Sequence, residues 1–265
     1  FYVLFFLVSI LNGCGKGTLE MDYPETKKLD LVETFFGETI EDPYRWLEDF
    51  TSIESREWVE KQNILTDKFL SNPHQKRIKK ELEDIWVSDQ ISIPYKKGSK
   101  TFYFFNDGKK QQSVFMVRGC DDCEAKVLLD PNNFSKDGTI SLGDVSVSPD
   151  GKKIAYSISD GGSDWRTWKV MDIETKEHLM DKIEWSKFSY ATWESDSSGF
   201  YYQKYEKPDE ALADVNRSPQ LYFHKLSEAQ KEDKLIYQDE QNPDRSWSIS
   251  VPEEGKYRVL SISEG

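Results

Sequence analysis

The chain lacks the parts with which a hydrolase cuts. No G-x-S-x-G occurs in its 265 residues; Gly161-Gly162-Ser163-Asp164-Trp165 comes closest and lacks the closing glycine, so the strained turn that presents a serine nucleophile is missing. Histidine is scarce as well. His74, His178 and His224 are dispersed and none belongs to an H-E-x-x-H motif, so all three read as structural or surface residues. Cysteine is limited to Cys14, Cys120 and Cys123. In Cys120-Asp121-Asp122-Cys123 the spacing suits a redox pair or half a zinc site, but the aspartates raise thiol pKa and no second pair completes a four-cysteine set. A loop disulfide or two plain thiols remain, and neither a metal nor a cofactor is implied. Positive charge is also in deficit: 35 Lys and Arg against 48 Asp and Glu leave a net −13. That balance argues against nucleic acid as a partner, since phosphate binding is driven by Lys and Arg that displace counterions.

Long apolar runs are missing too. Phe1 to Leu11 is almost wholly apolar but falls short of the roughly 20 residues that span a bilayer, and matches the h-region of a secretory signal. Leu11-Asn12-Gly13-Cys14 then resembles a bacterial lipobox, which makes Cys14 a candidate lipidation site and residues 1–14 a signal remnant; an ordinary signal peptide is the other reading. Exported, periplasmic or lipid-anchored localisation in a bacterial envelope follows as the expectation. Because the chain opens on Phe, with no Met or basic n-region, and stops within the strand pattern Ser261-Ile262-Ser263-Glu264-Gly265, it is expected to be a fragment at both ends.

What is present divides near residue 85. Residues 22–86 read as a helical segment: Trp58, Leu65 and Phe69 recur at helical intervals, Thr51 or Ser52 can cap, and Glu54 stands where a capping box from Thr51 needs it. Pro73 should break the helix, and a second should run from Gln75 to Trp86. From residue 87 to 265 the texture changes to short alternating runs rich in aromatics, of which the chain has 36. Thr101 to Phe105 and Ser113 to Val117 form a hairpin signal. Val145 to Ser157, Tyr190 to Tyr202 and Trp247 to Leu260 repeat one strand-turn-strand pattern, with turn glycines at Gly98, Gly151, Gly199 and Gly255. A period near fifty with about four strands per unit is that of β-propeller blades. The fold expected is therefore mainly β: an incomplete propeller of about three to four blades, preceded by a helical segment.

Tyr23-Pro24, Asp42-Pro43-Tyr44-Arg45-Trp46-Leu47-Glu48-Asp49, Val59 to Asn63, Leu129 to Asn132, Ser148-Pro149-Asp150-Gly151 and Gly162-Ser163-Asp164-Trp165 resemble segments that occur in this order in prolyl oligopeptidases. The resemblance implies a serine endopeptidase that cleaves short peptides after proline, in which a propeller of the seven-bladed type gates access to an α/β-hydrolase domain. The Ser-Asp-His triad of that domain has no counterpart here, so no catalytic residue is assigned and the chain alone is expected to be inactive. Phe188, in Lys187-Phe188-Ser189, resembles a family aromatic bordering the substrate pocket, and is the one substrate-binding candidate; an inter-blade core position is the alternative. Ser263 stands where the family commonly has a peptide-contacting Arg. The implied partners are short proline-containing peptides and the hydrolase domain, onto which Trp46, Leu47 and Trp58 would pack in part. A self-contained propeller-like binding lipoprotein and an inactive remnant are the competing functions.

Overall fold

The computed structural model describes residues 22–207 and 217–264; the apolar run and Cys14 lie outside the described residues. The chain divides into two units, at Asp84 and Ile85.

The first unit begins with a feature its helical reading did not include, a hairpin of Val32–Phe35 (β1) and Glu38–Glu41 (β2). Phe36 (φ 52) and Gly37 (φ 88) make its turn, with the two left-handed residues that match a hairpin's twist. Strands of four residues are too short for alternation to register in the sequence. Arg45–Glu48 forms a single 3-10 turn. Helix α1, Ile53–Leu70, is capped by Ser52, whose Oγ accepts the Ser55 amide at 3.1 Å. Thr51 is diverted to Asp49 at 2.7 Å, so the capping box expected from Thr51 and Glu54 does not form. Asn72 accepts the Gln75 amide at 3.0 Å and starts α2, Pro73–Trp86, two residues earlier than expected. Proline suits a first helical turn, where its missing donor has no partner to lose.

This unit has little interior. Ser55, 2% exposed, is its only fully buried residue among those described. Trp46 and Trp58 are half-buried and are held by their ring nitrogens, which donate to the Lys27 carbonyl and Thr26 Oγ1, both at 2.9 Å. Ile64, Phe69, Ile78 and Leu82 are exposed.

The second unit is a series of antiparallel sheets in sequence order. The first joins Gln90–Ile91 (β3), Tyr95–Lys97 (β4), Lys100–Asn106 (β5), Val114–Arg118 (β6) and Lys126–Leu129 (β7), with β3 and β4 both on β5. Pro94 falls between β3 and β4, as expected for a residue without a ladder donor. The second sheet is Ile140–Val147 (β8), Lys153–Asp160 (β9), Arg166–Asp172 (β10) and His178–Ser186 (β11). The third is Thr192–Trp193 (β12), Gly199–Lys204 (β13), Gln220–Lys225 (β14) and Lys234–Tyr237 (β15). A hairpin of Arg245–Ser250 (β16) and Val259–Glu264 (β17) opens a fourth. Three blades and half of another fit the expected three to four.

Alternation along each strand feeds two seams at once. Phe102, Phe115 and Leu129 of blade 1 meet Val147, Ile154 and Tyr156 of blade 2. The opposite face of blade 2 presents Trp168, Val170 and Ile183 to Trp193, Phe200 and Tyr202 of blade 3. Tyr201, one residue from both Phe200 and Tyr202, turns the other way to join Leu221 and Trp247 at the seam with blade 4. Each blade thus buries its faces only by stacking.

The repeat glycines do not all serve one purpose. Gly98 (φ +57) and Gly151 (φ +68) are left-handed and back to back: a Cβ on Gly98 would lie 2.6 Å from the Asp150 carbonyl oxygen, and one on Gly151 2.5 Å from that of Lys97. Gly199 departs from the expected turn role. In its turn the left-handed residue is Ser197 (φ 61), whereas Gly199 opens β13 and a Cβ there would run into the His224 carbonyl.

Candidate functional site

Phe188 lies in the link from β11 to β12, and it is 67% exposed, so the core alternative does not hold. Its neighbours explain how an exposed ring is kept in place. Ser186 Oγ accepts from the Trp168 ring nitrogen at 3.1 Å and donates to the Gln203 carbonyl at 2.7 Å, and Ser189 Oγ accepts the Gln203 amide at 2.7 Å. Blade 3 therefore grips the link on both sides of Phe188. The backbone is strained here: Phe188 (φ 52), between those anchors, and Trp185 (φ 60), just before the first of them, are both left-handed, which is unusual for bulky side chains.

Phe188 belongs to an aromatic and cationic cluster. The Lys187 ammonium stands 5.5 Å from its ring centroid and 4.9 Å from that of Trp165, and also faces Asp164 at 3.9 Å. Trp165 meets Trp185 and Tyr205 edge-on at 5.6 and 6.2 Å. Exposed Tyr190 lies two residues beyond Phe188. Chemically, such a surface grips flat or apolar groups and holds charge of either sign at its margin. It has no nucleophile–base pair. Trp165 was visible in the sequence inside Gly162-Ser163-Asp164-Trp165; Trp185 and Tyr205 carried no signal, because only folding brings them to it.

The remaining candidates fall elsewhere. Ser263 sits on β17 opposite Ser246, with the two hydroxyl oxygens 2.8 Å apart. Cys120 and Cys123 form a disulfide in the exposed β6–β7 turn. Among the described residues, no group of three or more His, Cys, Asp or Glu is placed to hold a metal ion. His74 and His178 are exposed.

His224 is different. Fully buried, it donates or accepts at both nitrogens, with Nε2 2.9 Å from Asp181 Oδ1 and Nδ1 2.7 Å from Asp233 Oδ1. Tyr202 donates to Asp233 at 2.7 Å, and the Ser227 amide to Asp181 at 2.7 Å. Burial pulls the imidazole pKa down, but the hydrogen bonds and charges of Asp181 and Asp233 outweigh it and raise it from 6.5 to about 9. Asp181 is itself held below the ordinary carboxylate range: burial opposes this, and the bonds from His224 and Ser227 prevail. A His between carboxylates resembles part of a catalytic triad, but this one has no exposure and no serine hydroxyl among its partners. It ties blade 2 to blade 3.

Residues 23–265 match the model of the prolyl oligopeptidase N-terminal β-propeller domain. The chain belongs to the prolyl oligopeptidase family. It is 40% identical to the prolyl endopeptidase of Elizabethkingia miricola over 246 residues, which cover 92% of this chain and 35% of that protein. It is 30% identical to prolyl oligopeptidase A of Amanita bisporigera, over 90% of this chain and 36% of that one. Among solved structures, one from a study of two prolyl endopeptidases superposes with a TM-score of 0.79 at 30% identity, covering 92% of this chain and 36% of that one. Prolyl oligopeptidase B of Galerina marginata, bound to a 35mer hydrolysis and macrocyclization substrate, gives 0.74 at 28%, covering 92% and 37%. This prolyl oligopeptidase propeller thus spans about a third of the length of the relatives it matches.

Proposed function

We propose that this chain is the substrate-admitting portion of a serine endopeptidase that cleaves short peptides after proline, with the catalytic triad in a hydrolase domain outside these 265 residues. The observation that carries the reading is the ordered stack of blades in a chain 40% identical to a prolyl endopeptidase. The blades form a wall that excludes folded proteins, and the exposed Phe188 presents an aromatic face to the peptide that passes it. The first unit clasps the hydrolase domain; its exposed Ile64, Phe69, Ile78 and Leu82 need such a cover, since apolar patches of this kind mark interaction surfaces. Export, with Cys14 carrying a lipid, completes the proposal and is checked by intact-mass analysis of the protein isolated from membranes.

The test is turnover of a chromogenic Gly-Pro anilide. The isolated chain should release no chromophore, whereas the chain joined in frame to the C-terminal portion of the Elizabethkingia miricola enzyme should. A folded but inert fusion would sink the endopeptidase reading and favour a stand-alone binding propeller.

A further inference from the structure

Blade 2 carries a cleft on the face it turns towards blade 1, with a volume of about 410 Å³, within the size range of small-ligand sites. Half-buried Ile140 and Ile158 form its apolar floor, and Trp165 and Trp185 stand at its end. Three features meet in it that stability does not explain. Trp185 holds a left-handed backbone (φ 60), a cost that persists where surrounding structure imposes it and that clusters at ligand sites. Lys169 of β10 lies directly opposite Lys182 of β11, and like charges in that register repel. Lys182 is relieved by Glu184 at 2.6 Å, but neither Lys169, half-buried, nor the adjacent Arg166 makes an ion pair with any described residue. Asp160 is the other carboxylate lining the cleft; Asp144 is near enough to feel the Arg166 charge. Among the described residues these two cations thus have no ion-pair partner, in a protein whose net charge is −13.

The geometry points to a carboxylate-binding site in this cleft, in which Arg166 and Lys169 hold a carboxylate of a short peptide while Trp165 and Trp185 pack against the chain that bears it. That the ligand is a peptide rests on the endopeptidase reading; that it is an anion rests on the cleft alone. The site adjoins Phe188, since Lys187 touches both the Phe188 and Trp165 rings. A peptide lying on Phe188 therefore has a place for a carboxylate beyond it, either an acidic side chain or its free C-terminus. A planar guanidinium beside an ammonium suits a carboxylate, which takes one charge-assisted bond from each.

The test is isothermal titration of the full 265-residue chain with three alanine pentapeptides: one blocked at both ends, one blocked with a central glutamate, and one with a free C-terminal carboxylate. At least one of the last two should bind, more weakly as salt is raised, and the blocked neutral peptide should not; which of the two binds identifies the source of the carboxylate. Lys169→Gln and Arg166→Gln should each weaken binding about tenfold, the loss expected for one charge-assisted hydrogen bond, while Lys169→Arg retains it. Circular dichroism confirms that the variants fold. Equal binding of the neutral peptide, unchanged affinity in both glutamine variants, binding of succinate with no peptide bound, or no binding at millimolar peptide would overturn the proposal. Affinity is read without turnover, so an inactive fusion leaves this result standing, and a cleft without affinity leaves the endopeptidase reading standing.

Discussion

His224 should make the seam between blades 2 and 3 sensitive to alkali. Among the described residues, the titratable groups bonded to the imidazole network are Asp181 on β11, Asp233 beside β15 and Tyr202 on β13, with Gln230 and the Ser227 amide completing it. Protonated, the ring donates to both carboxylates; neutral, it keeps one N–H and turns a lone pair on the other carboxylate. The folded-state pKa is raised, from 6.5 to about 9, so the stabilisation is complete below about 6.5 and is lost as pH rises through about 9. That interval corresponds to about 3 kcal/mol. Urea unfolding of the wild type and of His224→Gln, followed by tryptophan fluorescence from pH 6 to 10.5, isolates it, because the Lys and Tyr residues common to both proteins cancel. The gap in stability between the two should narrow by about 3 kcal/mol across that range. A gap that does not change with pH would refute the reasoning.

The other predictions concern the turns and seams. Gly151→Ala places a Cβ against the Lys97 carbonyl at a left-handed φ and should cost about 1–3 kcal/mol in urea unfolding. Phe200→Ala, at a fully buried ring in the middle of the seam between blades 2 and 3, should cost about 3–5 kcal/mol. Glu194, 6% exposed, accepts from Tyr201 at 2.9 Å and pairs with Arg258 at 2.7 Å. Burial works to raise its pKa, and the bonds from Arg258, the Ser195 amide and Tyr201 hold it below the ordinary value. Its contribution is therefore present above the ordinary carboxylate range and lost as pH falls through its lowered pKa, a loss that Glu194→Gln should remove from the acid unfolding curve. Reducing the Cys120–Cys123 disulfide, which closes a very short loop, should lower stability by about 2 kcal/mol at most.

How much of this was legible in the sequence depended on how local its cause is. The strands flanking Pro149-Asp150-Gly151 were readable because the turn chemistry sits in consecutive residues and the apolar alternation runs straight out of it. The fifty-residue period exposed the blades for the same reason. The β1–β2 hairpin was missed because its strands are four residues each and three of those eight residues are glutamates. Gly199 was misassigned because a strand glycine excused by a crossing carbonyl looks, in sequence, like a turn glycine. Phe188 was singled out by resemblance alone, and its setting depends on Trp165 and Lys187 meeting at the ends of β10 and β11. The Asp181–His224–Asp233 bridge, whose longest bond joins residues 43 apart, lies across two blades, and no spacing rule links its members.

The proposal that the remainder of a prolyl endopeptidase completes this chain is tested most directly by amide hydrogen exchange. In the isolated chain, β9, β10, β13 and β14 should exchange slowly, because they lie inside stacked blades, while α1 and α2 exchange fast. In the fusion to the C-terminal portion of the Elizabethkingia miricola enzyme, α1 and α2 should become protected along with β16 and β17. Helices equally protected in both proteins would contradict the account.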